Sequence, residues 1–97
     1  MKNKKTTFSN WQNAFVGVGV RTIDVSPDGH YIYAAINNES KVVVVDYATM
    51  KVIASVKADS FPVGLAVSGD GKMLIVTSQG RTSIGGGNSV MLFEIKF

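Results

Sequence analysis

One stretch of this chain occurs twice. Residues 20–36 (VRTIDVSPDGHYIYAAI) align without a gap on residues 62–78 (PVGLAVSGDGKMLIVTS), at an offset of 42. Val25, Ser26, Asp28 and Gly29 recur as Val67, Ser68, Asp70 and Gly71, while Ile23, Ile32, Tyr33 and Ala34 are answered by Leu65, Leu74, Ile75 and Val76. Such a repeat constrains the fold more than any single motif does, because a unit of this length cannot bury its apolar surface alone and must stack on a neighbour.

Asp-Gly between apolar runs is the strongest short-range hairpin signal, so Asp28-Gly29 and Asp70-Gly71 join strands. Around them the first copy reads as strands at 22–25, 31–36, 41–47 and 51–57, a meander connected by 37–40 and 48–50. The second copy reads as strands at 64–67, 73–78 and 89–95, with no fourth. Four consecutive valines at 42–45 need cover on both faces of their sheet, since a sheet with one wet face alternates apolar with polar residues. Radially stacked four-stranded sheets provide that cover, and about 40–45 residues per four strands is the period of a β-propeller blade. The fold class predicted is all-β: two tandem four-stranded antiparallel β-propeller blades, the second lacking its last strand. The chain then divides into 1–19, a tail and strand of a preceding or closing blade, 20–61, the first blade repeat, and 62–97, the second and incomplete one.

An apolar strand, Ser-Pro-Asp-Gly at 26–29, Tyr-Ile-Tyr at 31–33, Val-Val-Val-Asp at 43–46, a Thr-Met-Lys turn at 49–51 and Val-Ile-Ala at 52–54 follow one another here. This succession resembles the YVTN family of β-propeller repeats, a mostly bacterial and archaeal group similar to the lactonase-like seven-bladed propellers. The resemblance covers 20–95 and rests on turn and core residues, so it implies the WD-like blade fold rather than an activity. It also implies relatives that are often periplasmic or at the cell surface. This chain departs from the family in having fewer than two full blades and in carrying Gly69 where the turn has proline.

Propellers close with about 4–8 blades, so two would leave valine-rich faces wet. The first expectation is a C-terminal fragment of a longer propeller. The others are a ring of several copies, or an N-terminal segment that covers part of the exposed surface. That segment, residues 8–18 (FSNWQNAFVGV), reads first as the outer strand of a preceding blade and second as a strand folded back to complete the second copy.

A composition of 45% hydrophobic and 18% charged residues is that of a folded protein. The net charge of +3 is concentrated in Lys2, Lys4 and Lys5, and no basic stripe with interleaved aromatics marks a nucleic-acid surface. Zero cysteines exclude disulfides and thiolate metal sites without identifying a compartment. The polar residues 6–13 follow the basic start where a signal peptide needs an apolar run, and no stretch of about 18 apolar residues spans a bilayer.

Alternate connections of a meander lie at opposite ends. Residues 26–29, 48–50 and 68–71 therefore share one end, while the approach to the first strand, 37–40, 58–63 and 79–88 share the other. The second end is the candidate binding face, because loops on a rigid scaffold carry function. Its candidate contacts are Arg21, Asn37, Asn38, Phe61, Arg81 and Asn88. Arg21, beside the start of the innermost strand, could hold a carboxylate or phosphate through paired hydrogen bonds, and equally could be a surface arginine paired to an acid. The loop 80–88 (GRTSIGGGN) lacks the Gly-Lys-Ser/Thr ending of a phosphate loop and reads as a six-residue insertion relative to the first copy. Asn37, Asn38 and Glu39 read as turn chemistry before cation ligands, and His30, Asp28 and Asp70 as turn residues at the far end. Asp24 and Asp46 are expected to satisfy nearby amides. No nucleophile, base and orienting acid come together, so the reading is a non-catalytic module that binds an unknown small ligand or protein, without cofactor or metal. Its further partners are the remaining blades or copies of itself. The alternative is a fragment of a lactonase-like hydrolase.

Overall fold

The computed structural model describes residues 6–80 and 88–97. Its strands are β1 Val20–Val25, β2 Tyr31–Ile36, β3 Lys41–Asp46, β4 Lys51–Lys57, β5 Pro62–Val67, β6 Met73–Ser78 and β7 Ser89–Glu94. They form two antiparallel meanders, one of four strands in the order β1-β2-β3-β4 and one of three in the order β5-β6-β7. The repeat predicts this division. β1 and β5 start two residues ahead of the expected 22 and 64, because each sheet continues across a bulge, between Val20 and Thr22 in one and Pro62 and Gly64 in the other.

The two Asp-Gly turns are built alike. Asp28 Oδ1 accepts from the Ser26 hydroxyl at 2.7 Å and the His30 amide at 3.0 Å, and Tyr31 N donates to Ser26 Oγ at 3.0 Å. Asp70 repeats the set with Ser68, Lys72 and Met73. Gly29 and Gly71 adopt φ of 78° and 75°, a region glycine enters without strain. Gly69 in place of Pro27 leaves this network unchanged.

The sheets stack face to face with β1 beside β5. Between them Tyr33, Val42, Ala58, Leu74 and Val76 are buried, with Tyr31, Val44, Leu65, Val67, Met91, Phe93 and Ile95 packed around them. This is why the valine run has no polar alternation: Val42 faces the second sheet, whereas Val43 lies in a second buried cluster with Ala34 and Ile36 on the outer face of the first. Side chains on the inner strand and the following loop help tie the blades together. Thr22 Oγ1 donates to the Val63 carbonyl, Asp24 Oδ2 accepts from Val67 N at 2.8 Å, and Asn37 Nδ2 donates to the Pro62 carbonyl at 2.8 Å. Asp24 also accepts from Val25 N, and Asp46 from the Thr49 amide and hydroxyl, so both aspartates satisfy nearby donors as expected.

Residues 6–19 form no strand and lie against the outer face of the first sheet, where Val16 packs on Ala34, Ile36 and Val43. Asn37 N donates to the Gly19 carbonyl at 2.7 Å, and Val18 N to Glu39 Oε2. The same link joins the two blades, since Gln79 N donates to the Phe61 carbonyl at 3.0 Å and Ala58 packs in the core between sheets. Residues 16 and 19 are thus the counterparts of 58 and 61 at the repeat offset of 42. The segment is not folded back onto β7, because this link holds it on the first sheet's far side.

Candidate functional site

The two ends of the blade pair differ in chemistry. At the Asp-Gly end a cavity of about 160 Å³ is lined by Ser26, Pro27, Asp28, Tyr31, Tyr33, Asp70, Gly71 and Phe97. Tyr31 and Phe97 stack there, ring centres 4.1 Å apart. Hydrogen bonds from Ser26 and His30 hold the Asp28 carboxyl below its ordinary range, and those from Ser68 and Lys72 do the same for Asp70. His30 is exposed, with Nδ1 3.3 Å from Asp28 Oδ2, a turn residue as expected.

At the opposite end a cleft of about 540 Å³ opens between the blades, lined by Asn38, Glu39, Ser40, Lys57, Ala58, Asp59, Ser60 and Met91. Short loops build it. Ser40 adopts a left-handed φ of 52° after the 3-10 turn Asn37–Glu39, and its carbonyl accepts from Ala58 N at 2.8 Å. Asp59 braces the other wall, accepting from Ser89 Oγ at 2.7 Å while its own amide approaches the Met91 sulfur at 3.1 Å. Glu39 is ion-paired to Lys41 at 2.9 Å; the Val18 amide, then Lys41, hold its carboxyl below the ordinary range. Lys57 has no ion-pair partner among the described residues.

The sequence-predicted contacts fall as follows. Arg21 lies exposed at the β1 bulge, a device that re-aims a side chain out of the ladder, and forms no ion pair among the described residues. Asn38 lines the cleft. Asn88 is exposed just before β7, at φ 54°. Phe61 is half-buried at φ 60°, where its counterpart Gly19 has φ 88°. Asn37 differs from expectation: it is buried and its amide is engaged by Pro62, so it holds the loop and the second blade instead of facing solvent. Arg81 lies outside the described residues. Lys57, Asp59 and Ser60 are cleft residues that the sequence reading did not single out. For Asp59 and Ser60 the signal was the placement of link 58–63 at this end of the meander; Lys57, the last residue of β4, gave none.

Among the described residues no group of three or more His, Asp or Glu is arranged to hold a metal, and no helix is long and apolar enough to cross a membrane. No family model matches the chain, and no curated protein matches it. Solved structures similar to the chain include the following two. Hydrazine synthase of Kuenenia stuttgartiensis is 29% identical over 91% of this chain and 26% of its own, with a TM-score of 0.67. Dihydro-heme d1 dehydrogenase NirN, solved in complex with DHE, is 27% identical over 78% of this chain and 15% of its own, with a TM-score of 0.65. The chain therefore spans about a quarter or less of the length of these neighbours. Both are β-propeller proteins, and with two radially stacked antiparallel sheets of four and three strands this chain is a piece of β-propeller architecture.

Proposed function

We propose that the chain is a non-catalytic binding module of a larger β-propeller, and that its ligand or protein partner bears a carboxylate or phosphate seated at the loop end. The observation that carries this reading is the cleft of about 540 Å³ at the loop end, walled by the first blade's loop 38–40 and link 57–60 and bounded by Met91 of the second blade. Glu39 is ion-paired to Lys41 and Asp59 is held by the Ser89 hydroxyl, whereas Lys57 has no ion-pair partner among the described residues and is the cation the cleft offers an anion. Arg21 at the same end adds a guanidinium suited to paired hydrogen bonds. Phe61 supports the assignment independently. A bulky residue in the left-handed region carries strain, which Phe61 shares with Met50 at the opposite end, so its support lies in its place at the loop end. The larger propeller is supported by the exposed apolar residues Val90 and Leu92 on the outer face of the second sheet and by the fraction of the neighbours that the chain covers.

The test is a thermal-shift series with small mono- and dicarboxylates and sugar phosphates, run on the native chain and on the double variant Arg21→Ala/Lys57→Ala. A bound anion at a hundred times its Kd stabilises by about 2.7 kcal/mol, a rise of many degrees for a domain this small. The double variant is expected to melt as the native chain does without ligand and to lose the rise. A rise retained in full by the double variant would overturn the assignment.

A further inference from the structure

The cavity at the Asp-Gly end has a chemistry opposite to that of the loop end. Its walls come from the same turn repeated in adjacent blades. A Cβ on Gly71 would lie 3.6 Å from Pro27 Cδ, so the turns stand side by side, and Asp28 and Asp70 line one space of about 160 Å³. Turn bonds occupy Oδ1 of each carboxylate and leave Oδ2 available. Asp28 Oδ2 has the His30 ring at 3.3 Å, and Asp70 forms no ion pair among the described residues.

Tyr33 adds a third acceptor. It is 2% exposed, yet its hydroxyl forms no hydrogen bond among the described residues. Every fully buried side-chain polar atom among them has a partner, so this hydroxyl is not sealed in the core but reaches a cavity. Burial, then the neighbouring Tyr31 and Asp28, hold it above its ordinary range. The groove between the blades also touches Tyr33 but neither Tyr31 nor Asp28, so the hydroxyl turns to the Asp-Gly end. A buried phenol without a partner forfeits a hydrogen bond that a ligand can restore.

Two carboxylates and a neutral phenol oxygen match an alkylammonium, a group of three donors and no acceptor. The rest of the lining is mainly apolar, with Pro27 and the rings of Tyr31 and Phe97 stacked 4.1 Å apart. Such walls suit a methylene stem, whereas calcium would need about six to eight oxygens. The space equals about five water volumes, room for the four carbons and the nitrogen of a lysine side chain. The turns' own basic residues, His30 and Lys72, do not line it. We infer that this cavity is an alkylammonium site, which seats the lysine side chain of a partner protein or a free amine among Asp28, Asp70 and the Tyr33 hydroxyl. It shares no residue with the loop-end cleft and is independent of that reading.

An NMR titration of the isotope-labelled full chain tests it, following the Gly29 and Gly71 amides with n-butylamine hydrochloride and with n-butanol as the uncharged control. Saturable shifts are expected with the amine alone. A capped lysine in the same titration separates the sources: binding at least as tight as butylamine's assigns the site to a partner's side chain, and binding of butylamine alone assigns it to a free amine. Asp28→Asn/Asp70→Asn keeps each Oδ1 acceptor while removing both charges, and should weaken the amine about tenfold. Tyr33→Phe removes a hydroxyl that has no partner in the free chain. It should weaken the amine about threefold without lowering the Tm. If the double variant does not fold, Tyr33→Phe decides alone. Amine shifts no larger than those of butanol, or an amine affinity unchanged in either folded variant, would overturn the inference.

Discussion

Val42 and Val90 hold the same place in their blades, opposite Ala35 in one and Thr77 in the other, yet Val42 is fully buried and Val90 is 70% exposed. Tyr33 and Ile75 differ in the same way, at 2% and 37%. The turns and the pairing of the shared strands are alike, so the difference comes from what flanks them: Val42 has β4 beside it and a second sheet over its face, whereas Val90 lies on an edge strand and, like Ile75, on a face with no sheet over it among the described residues. Burial here is a property of stacking, as in any array whose units contact only the next unit. The largest expected effect follows directly. Tyr33→Ala removes a ring from the packed core and should cost about 3–5 kcal/mol, while Ile75→Ala should cost less than about 1 kcal/mol. Chemical denaturation at low protein concentration measures both. Equal losses would mean that the second blade packs against something on its outer face in the free chain.

The inner strands give the next contrast. Asp24 ties β1 to β5 through Val67 N, and Ala66 occupies its place in β5. Asp24→Ala leaves a half-buried amide without its acceptor and should cost about 1–3 kcal/mol. Ala66→Asp, with no following strand to bind in the single chain, should leave unfolding unchanged. A loss at Ala66→Asp comparable to that at Asp24→Ala would break the comparison.

The blades themselves were legible because their signals are local. Asp-Gly fixes two hairpins, and the valine run demands two-sided cover. The link at 16–19 was not legible, since residues 9–19 and 51–61 share no identical position although they do the same work. Val16 and Ala58 are related only by what they pack against. For the candidate site, the meander placed at one end the loop 37–40 and the link 58–63, residues of which line the same cleft. It could not foresee that Asn37 would turn inward to Pro62, nor that β4 would bring Lys57 to the rim, because both depend on how one blade meets the next.

Gly19 and Phe61 allow a finer comparison, with the same backbone bent alike by two different residues. A Cβ at Gly19 would meet Asn38 Nδ2 at 2.8 Å, and the left-handed conformation adds its own strain, so Gly19→Ala should cost about 1–2 kcal/mol. Phe61→Gly relieves that strain and loses a half-buried ring, a net change within about 1 kcal/mol. Unfolding curves for the two variants read the difference. If Phe61→Gly proves strongly destabilising, its ring is a packing residue and its place in the binding face falls.

The smallest effect concerns what the blades share. Asp28 and Asp70 both have folded-state carboxyls lowered from 3.8, first by the serine hydroxyl and then by a backbone amide. As pH falls, the unfolded chain takes up these protons before the folded one does. The stabilisation from each turn is therefore fully present above the unfolded value and is lost as pH drops through the lowered folded one. Ser26→Ala and Ser68→Ala should each move a carboxyl back toward its ordinary range and flatten the acid limb of the stability profile by similar, small amounts. Both carboxylates are exposed and make the same bonds, although Ser26 is buried where Ser68 is half-buried, so stacking should distinguish them little. If Ser26→Ala alone flattened the limb, the turns would not be equivalent after all, and the asymmetry between the blades would extend beyond their faces into the hairpins.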